Sequence, residues 1–381
     1  MLKKSISKIK KFFRAKHYWY MPKEFELLIY DEVGSESFKE YLDPKYFYVL
    51  DTRIEKLNLF IFLKSIIKKN FKWNSQSYIH EYIKEINPKI IISAIDNNLN
   101  YWMLKNYFKD IKIIFIQNGI RDRIFDIFDK LDERHYKKFT IDKMFVFNRP
   151  IGKVYSKYIN GDIIPIGSIN NNKIPISNTD DGSIIYISQW TKYIPETYPQ
   201  GYKHFVDFHY SEEYLFKLVS KFSSENNLKL KVLGRSFNEE EERFFKKINN
   251  NFIFLKRDEK SRNTSYKRIN ESKFVVTTDS TLGYEALSRG KKTAIISCRG
   301  KFLNMDILKF GWPYNFDDYG PFWTNINDES YFFKIMNYLQ NVSDKEWSET
   351  VSNVIENIML YDYNNKILKN NFKKLNLKTK F

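Results

Sequence analysis

Residues 273–296, KFVVTTDSTLGYEALSRGKKTAII, constrain the fold more than any other part of the chain. Their first residues are β-branched and aromatic, their middle is rich in small hydroxyl side chains, and their second half has helical spacing before another apolar run. The pattern predicts strand, loop, helix and strand. In an open α/β sheet such a loop lies at the carboxyl end of a strand, where ligands bind.

Asp279, Ser280 and Thr281 are N-cap residue types, and the first turn of the helix after them offers free backbone N–H groups and the positive end of its dipole. Such a helix start suits a phosphate. Glu285 falls about one turn further on, where a carboxylate can grip ribose hydroxyls. Plain capping accounts for the same residues, with Glu285 as an acid favoured near the positive end of the dipole. Glu285 follows Thr281 by four positions, so the spacing is not that of a capping box. Gly283 weakens a first helical turn, which makes sense where a ligand or another backbone approaches closely.

Apolar runs alternate with helical stretches along the rest of the chain. Strands are expected at 25–30, 46–50, 89–95, 112–116, 141–147 and 163–166, and again at 183–187, 228–233 and 252–255. Helical spacing covers 57–71, 75–86, 152–158, 212–222, 239–248, 264–269, 329–339, 345–359 and 363–372. This alternation predicts parallel, doubly wound α/β sheets. A length of 381 residues exceeds what one core supports, so two Rossmann-like domains facing across a cleft are expected. The boundaries read as a basic amphipathic arm at 1–20, an N-terminal acceptor and catalytic domain at 21–169 and a polar linker at 170–182. A nucleotide-binding domain at 183–360 and a C-terminal helix with a basic tail at 361–381 complete the division.

Composition limits the function classes. The single cysteine, Cys298, excludes an internal disulfide and a cysteine-based metal cluster and suits a reducing compartment. A net charge of +17 calls for an anionic partner, but the Lys, Asn and Ile bias runs through every segment, so clustering says more than the total. Clustering is sharpest at 1–16, where Lys3, Lys4, Lys8, Lys10, Lys11, Arg14 and Lys16 interleave with Leu2, Ile6, Ile9 and Phe13 on one helical face. Either this arm lies on an anionic membrane surface or it is a solvated basic tail. Nucleic acid is favoured by charge alone, because the aromatics fall in apolar runs rather than in a Lys/Arg and aromatic platform.

With these motifs in place, the chain resembles the GT-B glycosyltransferases. It is most similar to the bacterial surface carbohydrate (O-antigen and capsule) biosynthesis proteins related to retaining Kdo transferases. The resemblance rests on Ile95-Asp96-Asn97-Asn98, Phe115-Ile116-Gln117-Asn118-Gly119 with Arg121 and Asp122, Pro165-Ile166-Gly167-Ser168, and the Asp279-Ser280-Thr281 loop with its helix. These span roughly residues 89–298.

The resemblance implies a nucleotide on the second domain, at Ser188, Gln189, Gly234, Arg235, Asp279, Ser280, Thr281, Gly283 and Glu285. Arg235 equally suits a surface ion pair with the acids at 239–242. Asp96 ends a strongly apolar strand, where keeping a charge invites a functional reason, and the resemblance implies a nucleophile there; capping of the next helix by Asp96 and Asn97 is the structural alternative. Asp122 and Glu285 are reserve acids or bases. Asn97, Asn98, Gln117, Asn118, Gly119 and Arg121 are expected around the sugar.

No cofactor or metal is expected, since His17, His80, His135, His204 and His209 lack ligand spacing. The donor is expected to be a CMP-activated ulosonic or nonulosonic acid and the acceptor a polysaccharide or glycolipid, at the inner face of the cytoplasmic membrane. The chain departs from bacterial sialyltransferases in lacking a His-Pro dipeptide. A nucleotide-diphosphate-sugar transferase, a polyol-phosphate transferase of the same fold and a non-catalytic scaffold are the alternatives.

Overall fold

The computed structural model describes residues 13–68, 74–119, 135, 138–177, 179–193, 202–235, 239–256, 258, 263–303, 305 and 308–381. The chain divides into two compact units, one of residues 1–146, 152–169 and 365–381, the other of 147–151 and 170–364.

The first unit carries the strands β1 (Lys16–Tyr18), β2 (Leu27–Tyr30), β3 (Phe47–Leu50), β4 (Lys56–Asn58), β5 (Ile90–Ser93), β6 (Lys112–Ile116), β7 (Phe139–Val146) and β8 (Ile159–Pro165). Six of them form one sheet in the order β3-β2-β5-β6-β7-β8, every pairing parallel. All four residues of β2 and of β5 are buried, as expected where helices cover both faces of a parallel sheet. Helices α1 (Leu59–Ile67), α2 (Ser75–Ile86), α3 (Leu99–Trp102) and α4 (Arg149–Tyr158) belong to the connections. Asn87, in the left-handed conformation, ends α2 just before Pro88, because the residue ahead of a proline disfavours helix.

Two sequence expectations are corrected here. The helix expected over 57–71 begins only at Leu59. Lys56–Asn58 is extended and pairs with Lys16–Tyr18 in a separate two-stranded sheet, and the Asn58 side chain caps α1. The C-terminal helix, Lys366–Lys374, is not a tail apart. Leu368, Phe372 and Leu375 lie in the same core as Ile29, Ile92, Ile114 and Phe145.

The second unit holds β9 (Ser183–Ile187), β10 (Lys229–Leu233), β11 (Ile253–Leu255), β12 (Phe274–Thr277), β13 (Thr293–Ile296) and β14 (Trp323–Thr324) in the order β11-β10-β9-β12-β13-β14. All pairings are again parallel. The chain runs outward from β9 to β11, then returns to β12 on the other side, so the topological switch lies between β9 and β12. In the first unit the switch lies between β2 and β5.

Helices α5 (Tyr202–Glu225), α6 (Glu239–Lys246), α7 (Asn263–Glu271) and α8 (Thr281–Ser288) flank this sheet, and α5 begins earlier than the expected 212–222. The polar 170–182 stretch, expected as a linker, starts the second unit. Asn171 and Asn172 are fully buried, Asn171 accepts from Arg289, and the Asn172 side chain accepts from the Asp362 amide. Polar asparagines there satisfy buried donors rather than solvate a hinge.

Phe372 is fully buried, with its ring 6.5 Å from that of Phe145. Phe372→Ala should therefore cost about 3–5 kcal/mol, read as a lower urea midpoint with unchanged slope. A loss below about 1 kcal/mol, the range of surface substitutions, would remove the C-terminal helix from the core.

Candidate functional site

In the second unit the loops leaving β9, β10 and β12 carry the expected nucleotide residues. Ser280 takes the N-cap position of α8 with extended backbone (φ −63°, ψ 133°), yet its side chain makes no capping hydrogen bond. Ser280 is partly exposed at the helix start, with Thr281 as the first helical residue. The capping alternative therefore does not account for the Ser280 side chain.

Beneath this helix start lies a buried charge network that sequence reasoning missed. Arg299 is 2% exposed. Its guanidinium donates to Asp279 Oδ1 at 2.9 Å, to Glu212 Oε1 at 2.5 Å and to Ser211 Oγ at 3.1 Å. The other Glu212 oxygen accepts from the Tyr186 hydroxyl and from the Gln189 amide, both at 2.9 Å. Burial works against the Arg299 charge, but Asp279 and then Glu212 hold the guanidinium above its ordinary range. Burial pushes the Glu212 carboxyl upward against the pull of Arg299 and the Gln189 and Tyr186 donors. Arg299 serves two carboxylates, so we read it as the fixed cation and the acids as arranged around it.

The loop after β10 is held in a parallel manner. Glu241 of α6, fully buried, accepts the Arg235 amide at 2.9 Å, and the exposed Arg235 side chain donates to the Gln189 carbonyl at 3.3 Å. The contacts of Arg235 thus pin two loops together rather than pair its guanidinium with Glu239–Glu242. Ser188 is buried, and its hydroxyl accepts from the Trp190 amide at 3.1 Å, so it shapes the turn.

Packing bears on three of the expected nucleotide residues. A Cβ on Gly283 would run into the Thr277 methyl, so the glycine admits close docking of α8 on the end of β12. A Cβ on Gly234 would lie 2.6 Å from the Phe254 ring. Glu285 is 5% exposed and accepts from the Tyr266 hydroxyl at 2.8 Å, which ties α7 to α8 rather than leaving a carboxylate open for ribose.

In the first unit Asp96 is 2% exposed. Its Oδ2 accepts from the Tyr155 hydroxyl at 3.1 Å, and its carbonyl accepts from Trp102 Nε1 at 2.8 Å. Helix α3 is capped by Asn98, whose side chain accepts from the Asn100 amide, so Asp96 and Asn97 are not its caps. Gln117 is buried and donates to the Gly119 carbonyl at 3.0 Å, which fixes the turn instead of presenting the amide. Asn97 and Asn118 are exposed.

The structure brings Asn118 and Ala94 together over Gly34, where φ is +78° and a Cβ would lie 2.7 Å from Asn118 Nδ2. This joins the loops after β2, β5 and β6. The β2 loop went unremarked in the sequence, though its Asp31-Glu32-Val33-Gly34-Ser35 string follows an apolar strand as Asp96 does. Asp31 is buried with φ +72° and accepts from the Val33 amide and the Thr52 hydroxyl. Arg121 and Asp122 lie outside the described residues. Among the described residues no group of three His, Cys, Asp or Glu side chains could hold a metal ion, and no helix is long and apolar enough to cross a membrane.

Two parallel α/β sheets, with loops gathered at the carboxyl ends of β9 and β12 and of β2 and β5, define the GT-B class of fold. Solved structures agree. The chain is similar to UDP-GlcNAc 2-epimerase from Neisseria meningitidis bound to UDP-GlcNAc (11% identity, 93% of this chain and 100% of that one, TM-score 0.51). It is also similar to a glycosyltransferase from Rickettsia africae ESF-5 (12%, 92% and 98%, 0.50) and to another UDP-N-acetylglucosamine 2-epimerase (13%, 93% and 97%, 0.50). No curated protein matches the chain. Residues 114–376, well over half of the sequence, match the family described as "putative O-antigen biosynthesis protein". The chain belongs to that family.

Removing Arg299 alone would leave Glu212 as a buried uncompensated charge. Arg299→Met should lose about 3–5 kcal/mol in urea unfolding. Adding Glu212→Gln, which removes the charge and keeps an acceptor for Gln189, should restore part of it. A double variant whose loss equals the sum of the Arg299→Met and Glu212→Gln losses would show that the two do not act as a pair.

Proposed function

We propose that this chain is a glycosyltransferase of surface polysaccharide assembly, using a nucleotide-activated sugar donor and a saccharide or glycolipid acceptor. The observation that carries the reading is the start of α8. There a hydroxyl not spent on capping and the N-terminal end of a helix stand at the carboxyl end of β12, beside the topological switch. Asp279, anchored on Arg299, fixes that loop before any ligand arrives. Such preorganisation lets donors meet developing phosphate charge without reorganising.

Transfer breaks the bond between the anomeric carbon and the donor phosphate oxygen and forms one to an acceptor oxygen, whose proton goes to a base. The nucleotide leaves with the bonding electrons, and the α8 start and Arg235 suit the charge that it carries away. In the first unit Asp96 is the carboxylate assigned to the anomeric carbon or the acceptor proton, with Tyr155 as the residue that orients it. Its burial makes a purely structural role the competing reading. The donor assigned first is a CMP-linked ulosonic or nonulosonic acid, on the resemblance to Kdo transferases and the basic surplus. A nucleotide-diphosphate sugar is the second. Association with the inner face of an anionic membrane through the basic arm completes the proposal.

A melting screen against CMP, CDP, UMP, UDP and GDP tests the nucleotide site, because a ligand bound by the folded state alone raises the midpoint. Stabilisation by CMP alone supports the ulosonic acid donor, preference for a diphosphate moves the donor, and no response to any nucleotide rejects the site. Ser280→Ala should reduce the shift. Asp96→Asn should abolish transfer while keeping both the melting midpoint and the nucleotide shift; normal turnover would remove Asp96 from the chemistry, and a collapsed midpoint would mark it as structural.

A further inference from the structure

The first unit contains more apolar surface in one place than its own packing uses. Helix α1 reads Leu59-Phe60-Ile61-Phe62-Leu63-Lys64-Ser65-Ile66-Ile67, yet its fully buried residues are Ile61 and Ser65 alone. Phe60, Leu63 and Ile67 recur at the spacing that places them on one helical face. Leu63 is 40% and Ile67 61% exposed. A helix that is apolar nearly all round is expected inside a core or against a lipid phase, not beside water.

The chain before α1 extends the same stripe and is held there firmly. Asn58 Nδ2 donates to the Tyr20 carbonyl at 2.9 Å, while Asn58 Oδ1 caps α1. The Tyr20 hydroxyl lies 2.8 Å from that of Tyr48 and 2.9 Å from that of Tyr82. Segment 18–21 is thereby fixed on the fold, and the Trp19 ring stands edge-on to Phe60 with centroids 6.3 Å apart. Trp19 is nevertheless 62% and Met21 69% exposed. An anchored backbone that turns a tryptophan and a methionine outward suits an interface that is apolar on one side and wet on the other.

Cations flank the stripe along the chain. The β1–β4 register sets Lys16 directly beside Lys56, both exposed, and Arg14 is exposed nearby in sequence. Lys64 and Lys68 are engaged by Glu85 and Glu81, and Glu55 is the exposed acid next to Lys56. The sequence that leads into this surface, residues 1–12, carries five lysines and no acid, and the sequence after Lys68 continues with Lys69 and Lys72.

We propose that the face formed by Trp19, Phe60, Leu63 and Ile67, rimmed by Arg14, Lys16 and Lys56, docks unit one on an anionic lipid surface. Helix α1 then lies in the headgroup plane with its stripe toward the acyl chains. The inference rests on the membrane part of the proposed function, is independent of the sugar chemistry, and moves the principal contact from the arm to the folded surface. Apolar insertion supplies the grip and the cations select anionic lipid, so binding should weaken as salt rises.

Co-sedimentation of the full chain with vesicles of phosphatidylcholine, alone or mixed with phosphatidylglycerol, tests it. Wild type should bind the mixed vesicles. Leu63→Glu with Ile67→Glu should lower the partition by at least about tenfold, since charged side chains replace inserted apolar ones. Trp19→Ser with Ile67→Ser, at two well exposed positions, provides a milder pair if the first fails to fold, and should lower it by a factor of about three or more. Charge-neutral glutamines at Lys3, Lys4, Lys8, Lys10 and Lys11 form the arm variant.

Loss of binding in the arm variant alone, with the stripe variants binding like wild type, overturns this inference and leaves the arm reading standing. Failure of wild type to bind mixed vesicles overturns both. A stripe variant that turns a dimer into a monomer in size exclusion without changing vesicle binding overturns the lipid assignment and gives the face to a second copy of the chain.

Discussion

The Arg299 guanidinium is the interaction on which the arrangement of the second unit depends. It follows β13, reaches Asp279 in the loop after β12 and Glu212 on α5, and through Glu212 reaches the Gln189 amide after β9. One cation therefore sets the relative positions of the loops on both sides of the topological switch. Two carboxylates and a guanidinium are costly to desolvate, and such a group is weak evidence for stability in itself. Its value lies in geometry: Asp279 cannot relax into solvent without abandoning the cation, so the start of α8 is presented in one orientation. The close docking of Gly283 on Thr277 acts to the same end by excluding a thicker helix–strand contact.

In the first unit the comparable loop acid is Asp96, just past the end of β5. Asp96 is held by the Tyr155 hydroxyl, and its carbonyl by the Trp102 indole, inside a cluster in which the Trp102, Phe115 and Tyr155 rings approach within 5.0–6.2 Å. Donors set in an aromatic shell hold the carboxylate in one orientation. A loop meant to seat phosphate benefits from the fixed electrostatic frame that Arg299 supplies.

The sheets were legible because their strands are buried on both faces and read as unbroken apolar runs. Residues 112–116 and 183–187 coincide with β6 and β9, and the strand, loop, helix and strand of 273–296 are β12, α8 and β13. Helix α2 was equally plain, because Pro88 ends it. What failed was chemistry that spacing does not encode. Ser280 and Asp279 were visible as loop residues, but Arg299 lies beyond the next strand and Glu212 within a distant helix, so no local pattern links them. Gly283 suggested the close approach of a ligand or another backbone and Glu285 a grip on ribose or a dipole-favoured acid; the structure sets Thr277 against the first and the Tyr266 hydroxyl on the second. A glycine or a buried acid in a sequence records that something comes close, not what it is. Asn58 was misread for a related reason: an extended pairing with β1 overrode the helical spacing of the residues around it.

Surface apolarity needs the opposite argument. A core side chain is explained by its neighbours, but Trp19 and Ile67 have too few to explain their exposure, while the backbone beneath them is tied down by Asn58, Tyr20, Tyr48 and Tyr82. Disorder therefore does not account for them. A chain free to move could bury a tryptophan; one fixed by a capping asparagine and a ring of three tyrosine hydroxyls holds it outward at a continuing cost in hydration. That cost is recovered only against a partner that accepts apolar side chains and tolerates lysines at the rim, and an anionic bilayer meets both conditions without a matching protein shape.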